Sequence, residues 1–267
     1  AFTRIADVEP AINAMPTLCP ERAYAAAESR ASPGDDRAAW LAGLPLAIKD
    51  LNMVAGVRTT FGTKGFSDFV PDSSDLLVTR LEARGGVVVG KTNTPEMGAG
   101  GNTFNDVFGP TLNPWDTKLN AGGSSGGAAA SLATGEVWLS HGSDHGGSLR
   151  TPASFCGIVG LRPSSGRVPS SGPSGFATEG VQGPMARSVR DCALFLDAMS
   201  GFTPAVPVSY PWPVEGTFEA AVIEAEPKIG IAFSPDFNGM AQADTEVIDH
   251  LRNCLLYTSP SPRDTPQ

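Results

Sequence analysis

A stretch near the middle of the chain, residues 121–150, restricts the possible folds more than any other part. It contains two glycine-flanked serine clusters, GGSSGG at 122–127 and DHGGS at 144–148, separated by a segment with the pattern of a helix followed by a strand. Because glycine lacks a Cβ, such clusters let several backbone N–H groups converge on one point, as anion-binding loops require. Gly-Ser clusters also occur in flexible linkers. Here strong helix formers and a closing glycine follow at 128–135, which favours a loop that leads into a helix N-terminus.

A second feature is a lysine that follows a short apolar run. Residues 44–48 (LPLAI) have the composition of a strand buried on both faces, and Lys49 comes at its end. A lysine at a strand end is usually solvated, because removing an ammonium group from water is costly. The apolar residues before Lys49 favour partial burial instead. Burial would lower the pKa of the lysine towards the range in which its neutral form acts as a base.

Together these motifs resemble those of the amidase signature family. The family's lysine motif appears as GLPLAIKD at 43–50, and its serine-glycine signature appears as GGSSGG at 122–127 followed by GSDHGGSLRTPASFCGIVGLRPSSGRVP at 142–169. The spacings between the motifs also agree with the family. The resemblance implies an α/β amidase signature fold, in which helices flank a mixed β-sheet core.

The local patterns outside these motifs agree with an α/β layer. A capped helix at 73–85 leads directly into a β-branched run at 86–91. Further helices are predicted at 3–15, 20–31, 188–199 and 245–252, and further strands at 136–141 and 228–233.

The extent of the domain is also a prediction. Family members are longer, the chain starts without a methionine, and residues 254–267 break every local pattern and resemble the translation of a sequencing adapter. We therefore expect one amidase signature domain at 1–253, truncated at both ends and incomplete, and a non-native tail at 254–267.

The composition argues against several classes of function. The net charge is −9 and no basic run occurs, so we expect no nucleic-acid surface. No apolar stretch approaches the roughly 20 residues that span a bilayer, so we expect no membrane association. Four cysteines without CxxC or metal-like spacing predict free thiols, with no metal and no cofactor. We expect a cytoplasmic protein, although an export signal could have been lost with the N-terminus. The expected partners are a small-molecule amide substrate and a second copy of the chain in a homodimer.

The resemblance implies a catalytic Ser-cisSer-Lys triad. Ser148 is the implied nucleophile, Ser124 the bridging serine on a cis peptide bond, and Lys49 the base. The chemistry is consistent, because a serine hydroxyl is a weak nucleophile until a neighbouring base takes its proton. A neutral Lys49 would take that proton through Ser124 and return it to the leaving amine.

The family pattern also implies an oxyanion hole. A tetrahedral intermediate needs hydrogen-bond donors aimed at its oxyanion, and the pattern points to the backbone N–H groups of His145, Gly146, Gly147 and Ser148. His145 departs from the pattern, since the family usually has a small or aliphatic residue at this position. We expect His145 only to shape the pocket.

Neighbouring residues are expected to support the site or to contact substrate. The segment at 97–102 corresponds to a wall near the active site of the family, so Met97, Gly98 and Asn102 are predicted substrate contacts. An ordinary loop with a capped turn is an equal alternative for this segment. The predicted supporting residues are Ser125, Asp144 and Arg150, and the last two are also interpretable as a plain structural ion pair.

The predicted function is hydrolysis of a carboxylic acid amide to an acid and ammonia or an amine, through an acyl-enzyme. One alternative is the amidase subunit of a glutamine-dependent tRNA amidotransferase, which shares the motifs and needs partner chains. The proline-rich segment at 204–213 and the segment at 138–141 favour a stand-alone amidase. A catalytically inactive fragment or homologue is a further alternative, and the retained residue types disfavour the inactive homologue.

The sequence also fits the motif of a different kind of serine hydrolase. Residues 122–126 fit the G-x-S-x-G nucleophile elbow, with His141, His145 or His250 as the base. Such an elbow follows a strand, whereas residues 113–120 have the composition of a turn. The turn composition of residues 113–120 therefore disfavours the elbow.

Overall fold

The computed structural model describes residues 1–29, 32–33, 39–170, 176–211, 216–224 and 244–258. The chain divides into two compact units, 1–223 and 224–267. Within the described residues, the first unit contains every strand, and the described element of the second unit is a helix.

The strands form one large mixed sheet and one small hairpin. They are β1 (Thr17–Leu18), β2 (Pro45–Lys49), β3 (Val87–Thr92), β4 (Phe104–Asn105), β5 (Gly109–Pro110), β6 (Leu139–Asp144), β7 (Val159–Gly160) and β8 (Val181–Ala186). The large sheet has the order β1-β3-β2-β6-β8-β7, and β4 pairs with β5. β2 is parallel to both of its neighbours, β3 and β6, while the other pairs are antiparallel. The predicted mixed α/β architecture is therefore confirmed.

Helices cover both faces of the large sheet. In the first unit they are α1 (Phe2–Ile12), α2 (Pro20–Glu28), α3 (Leu76–Ala83), α4 (Gly126–Ala133), α5 (Arg150–Cys156), α6 (Val189–Met199) and all but the last residue of α7 (Phe218–Glu224). The second unit contains α8 (Thr245–Thr258). None of the helices in the described ranges is long and apolar enough to cross a membrane.

The sheet separates two hydrophobic cores. Leu46 and Ile48 of β2 enter the core that contains residues of α3 and α6, whereas Ala47 enters the core that contains residues of α1, α2, α4 and α5. Successive side chains of a strand point to opposite faces. Lys49 therefore lies on the same face as Ala47, which is the face that α4 covers.

The position of β6 differs from the sequence prediction. The strand begins at Leu139 and not at Glu136. Gly135 takes a left-handed conformation (φ 77°), and the Glu136 N–H donates to the carbonyl oxygen of Ser131 in the last turn of α4 (2.9 Å), so the chain is still closing the helix at this point. The strand also continues through 142–144, whose residue types are poor strand formers. Antiparallel pairing with β8 holds these residues in the sheet.

The other predicted elements are found with modest shifts at their ends. α1 ends at Ile12 because Asn13 adopts a left-handed conformation (φ 56°). At the start of α6, Ser188 Oγ accepts a hydrogen bond from the Asp191 N–H (3.1 Å), as the capping pattern predicts. The strand predicted at 228–233 lies outside the described residues. α8 includes the first part of the predicted tail, and the tail beyond Thr258 lies outside the described residues as well.

Candidate active site

Two parallel strands bring the sequence motifs to one edge of the sheet. β2 and β6 pair with Leu46 opposite Leu139, and both strands end at the same edge because they are parallel. Lys49 is the last residue of β2 and Asp144 is the last residue of β6. The lysine motif and the second serine cluster therefore meet at the carboxyl ends of neighbouring strands.

The first serine cluster reaches this edge through a tightly packed loop. The peptide bond between Gly123 and Ser124 is cis, and α4 begins directly after Ser125. A Cβ on Gly123 would lie 2.8 Å from the backbone nitrogen of Asn102. Glycine is therefore required at 123, because the backbone of the 97–102 segment occupies the space of a side chain.

Lys49 lies among three serine hydroxyls and has no exposed surface. Its Nζ atom is 2.7 Å from Ser124 Oγ, 2.9 Å from Ser125 Oγ and 3.0 Å from Ser143 Oγ. Burial lowers the pKa of Lys49 to about 7, and the negative charge of Asp144 opposes this shift only in part. A substantial fraction of Lys49 is thus neutral near pH 7 and carries a lone pair.

The hydrogen bonds of Ser125 decide which hydroxyl can deliver a proton to Lys49. Ser125 Oγ donates to the Ser143 carbonyl oxygen (3.2 Å), so it can only accept from Lys49. The Ser125 N–H donates to the carbonyl oxygen of Ser148 (3.3 Å). Ser125 therefore links Lys49 to the loop of the second cluster, and Ser124 and Ser143 are the hydroxyls free to donate to a neutral Lys49.

The second serine cluster forms a loop between β6 and α5. Its Gly147 N–H donates to Asp144 Oδ1 (2.8 Å), so this donor is already in use, although the sequence assigns it to the oxyanion hole. In the part of the chain that the structure describes, the N–H groups of His145, Gly146 and Ser148 donate to no protein group. These three N–H groups are thus the donors left for an oxyanion in this loop.

Asp144 anchors the loop. Its carboxylate accepts from the N–H groups of Gly147 and Leu149 and from the guanidinium of Arg150, whose Nε and Nη2 atoms both lie at 3.1 Å. Arg162 adds a contact at 3.2 Å from Nη1 to Oδ1. Burial alone would raise the pKa of Asp144, but these hydrogen bonds hold it well below its usual range. Asp144 is therefore an ionised structural centre, and its pairing with Arg150 has the form of the predicted structural ion pair.

A cavity of about 260 Å³ opens beside the serine hydroxyls. Of the predicted residues, Ser124, Asp144, His145 and Ser148 line it, together with Met97 and Gly98 from the predicted substrate wall. Asn102 is exposed and is not part of this lining, since its backbone packs against Gly123 instead. The remaining lining residues are Leu51, Ser143, Gly180, Val181 and Gln182.

The nucleophile-elbow alternative finds no support in this geometry. Ser124 Oγ contacts a lysine, and residues 111–125 form turns and an isolated bridge where an elbow needs a strand. His141 is fully buried, and burial lowers its pKa to about 3. His145 is exposed at the cavity, and His250 belongs to the second unit of the chain.

Three polar residues of the site were not singled out by the sequence. Ser143 and Arg162 lie inside the serine-glycine signature, so membership of that motif was a usable signal for both. Gln182 lies outside every motif. It is brought to the cavity by the antiparallel pairing of β8 with β6, which sets Gln182 opposite Ser143.

Comparison with known proteins assigns the chain to a family. A family model described as Amidase matches residues 1–256. This chain belongs to the amidase family. The solved structure of a bacterial aryl acylamidase, described as a member of the amidase signature enzymes family, has a TM-score of 0.75 and 35% identity, with 83% of this chain and 46% of that chain covered.

Other members of the amidase family are similar over the same region. A glutamyl-tRNA(Gln) amidotransferase subunit from Synechococcus sp. (strain WH7803) is 48% identical over 208 residues, which cover 76% of this chain and 42% of that protein. The structure of 6-aminohexanoate cyclic dimer hydrolase with substrate has a TM-score of 0.76 and 36% identity, with 84% of this chain and 46% of that chain covered. The chain thus spans less than half the length of these relatives.

Proposed function

We propose that this protein hydrolyses carboxamide C–N bonds through an acyl-enzyme formed on Ser148. The observation that carries the proposal is the 2.7 Å contact between the buried Lys49 Nζ and Ser124 Oγ, beside a cavity that Ser124 and Ser148 both line. A buried lysine with a pKa of about 7 is suited to act as a general base near neutral pH. Membership of the amidase family supports the same chemistry.

Each step of the proposed reaction uses a group of this site. Neutral Lys49 takes a proton from Ser124, which takes one from Ser148 as Ser148 Oγ attacks the carbonyl carbon of the amide. The carbonyl π electrons move to oxygen, and the resulting oxyanion accepts hydrogen bonds from N–H groups of the 145–148 loop. Collapse of this intermediate breaks the C–N bond, and the proton returns through Ser124 to the leaving nitrogen. Water then attacks the acyl-enzyme by the same route and releases the acid.

Two biological uses of this chemistry are candidates, a stand-alone amidase and an amidotransferase subunit. The sequence features at 138–141 and 204–213 favour the first use. The curated relative that is 48% identical is named as a subunit of glutamyl-tRNA(Gln) amidotransferase, and other relatives at 42–46% identity carry the same name. These comparisons favour the amidotransferase subunit over the stand-alone enzyme, although 6-aminohexanoate cyclic dimer hydrolase, at 36% identity, has a similar structure.

The test is ammonia release by the complete gene product from a panel of simple amides and from glutamine. We expect turnover by the wild type and a loss of at least about 1,000-fold in Ser148→Ala and in Lys49→Ala. Matched controls are Ser154→Ala, an exposed serine of α5, and Lys64→Ala, an exposed lysine.

The outcomes separate the candidates. Release from simple amides supports the stand-alone amidase. Release from glutamine alone, or only with partner proteins present, supports the amidotransferase subunit. Turnover that survives Ser148→Ala overturns the proposed mechanism.

A further inference from the structure

Gln182 lines the cavity, and its contacts fix the orientation of its side-chain amide. It lies on β8 directly opposite Ser143, whose hydroxyl contacts Lys49. Directly opposed residues of an antiparallel pair project from the same face of the sheet with their Cβ atoms about 5 Å apart. Gln182 thus stands beside the serine–lysine cluster at the cavity wall.

The protonation of His141 follows from its two contacts. The Lys49 backbone N–H donates to His141 Nδ1 (3.3 Å), so Nδ1 must carry a lone pair. His141 is fully buried, and burial keeps it neutral by lowering its pKa to about 3. The neutral ring then carries its proton on Nε2, which contacts the side chain of Gln182.

The orientation of the Gln182 amide follows in turn. Because His141 Nε2 is a donor, the atom of Gln182 that meets it is the acceptor Oε1. The Nε2 atom of Gln182 is therefore on the other branch of the planar amide, with two N–H donors. Within the described part of the chain these donors have no protein partner, and Gln182 is only half-buried. Gln182 reaches accessible space at the cavity that it lines.

We propose that Gln182 is a specificity-determining residue, whose side-chain NH2 group binds a second hydrogen-bond acceptor, a carbonyl or carboxylate oxygen, on the amide substrate. This inference rests on the proposed amide hydrolysis at Ser148. The favoured substrates are thus amides that carry another acyl oxygen close to the scissile bond. A site built to donate hydrogen bonds discriminates strongly against analogues that lack the acceptor, since its polar groups are then left unpaired.

The test is calorimetric binding of two probes of similar length, succinamide and butyramide, to the complete protein carrying Ser148→Ala. Succinamide has a second carbonyl and butyramide has none, and this background makes the measurement independent of turnover. We expect at least tenfold tighter binding of succinamide, and loss of that preference when Gln182→Met is added.

A second variant separates substrate binding from support of His141. Gln182→Glu retains an acceptor for His141 Nε2 but has no N–H donors, so it is expected to lose the preference as Gln182→Met does. Retention of the preference in Gln182→Glu, or in Gln182→Met, overturns the inference, as does equal binding of the two probes by the parent. The two failures are distinguishable, because unimpaired amide hydrolysis by Ser148→Ala refutes the proposed function, whereas the binding preference and its loss in the two variants test the role of Gln182.

Discussion

Lys49 Nζ lies 2.7 Å from Ser124 Oγ at a position where the lysine side chain has no contact with solvent. The lysine is the last residue of β2, and the serine immediately follows the cis peptide bond of the loop before α4. Two segments that are distant in sequence are joined here by a contact that is short enough for proton transfer.

This contact predicts the pH dependence of the reaction. The neutral form of Lys49 is the base, and it accumulates as pH rises through a pKa of about 7. We expect kcat/KM of the complete protein to rise through that pH and to level off above about pH 8. Lys49→Arg is expected to be inactive throughout, because a guanidinium stays protonated. A flat profile from pH 5 to 9, or an active Lys49→Arg variant, would contradict this role.

A second buried lysine, Lys91, forms an ion pair with Asp50, and substitutions of these two residues are expected to have non-additive effects on the free energy of unfolding. Lys91 Nζ contacts Asp50 Oδ1 at 2.7 Å, and both side chains are almost completely buried. Burial lowers the pKa of Lys91, and the Asp50 carboxylate opposes that shift. Lys91→Met leaves Asp50 as an unpaired buried charge, so we expect a loss of about 3–5 kcal/mol in the free energy of unfolding by denaturant titration.

The double variant provides the decisive comparison for this pair. Lys91→Met combined with Asp50→Asn removes both charges and is expected to recover part of that loss. Lys64→Met serves as the control, because its ion pair with Asp106 is largely exposed and contributes about 1 kcal/mol or less. If the effects of the two single variants simply add, the ion pair is not the source of the effect.

Glu136 predicts a protein that is less stable at about pH 8 than at about pH 4.5. Burial raises the pKa of this carboxyl to about 8, the Thr134 hydroxyl that donates to it (2.6 Å) lowers the pKa, and the neighbouring Glu9 raises it further. The folded protein therefore keeps a proton that the unfolded chain releases near pH 4.5. The free energy of unfolding should fall as pH rises from about 4.5 to about 8.

Replacing the carboxyl by an amide should remove this dependence. Glu136→Gln is expected to flatten the pH profile and to be more stable than the wild type at pH 9 by on the order of 2 kcal/mol. Thermal or denaturant unfolding at pH 5, 7 and 9 measures this, with the exposed Glu96→Gln as control. A Glu136→Gln variant that is less stable than the wild type at pH 9 would disprove the assignment.

Gly127 at the start of α4 predicts a steric requirement. A Cβ at this position would lie 2.4 Å from the backbone nitrogen of Asn93 and 2.6 Å from the carbonyl oxygen of Ala14. Gly127→Ala must displace backbone, so we expect it to lower the free energy of unfolding by about 1–3 kcal/mol, although alanine has the higher helix propensity. Gly101→Ala, with no atom within 4 Å, should change stability by about 0.5 kcal/mol or less. Equal stability of the two variants would argue against close packing at Gly127.

The sequence alone determined the class of the fold and the elements that carry the motifs. The apolar run at 44–48 has no polar face, which is typical of a central strand with parallel neighbours, and β2 is such a strand. The alanine-rich run after Gly127 predicts the helix α4, and the capping residue Ser188 predicts the start of α6. These features depend on neighbours along the chain, so local patterns are sufficient to find them.

Only the tertiary structure decided what surrounds the reactive groups. Of the three hydroxyls at Lys49, two come from the loop before α4 and one from β6, and Gln182 reaches the cavity only through its pairing opposite Ser143. The hydrogen bond between the Gly147 N–H and Asp144 depends on the conformation of the loop after β6. A sequence pattern contains the residue types of such contacts but not the distances between them. The burial of Lys49 also arises only when the sheet and α4 pack together, and this burial is what lowers its pKa.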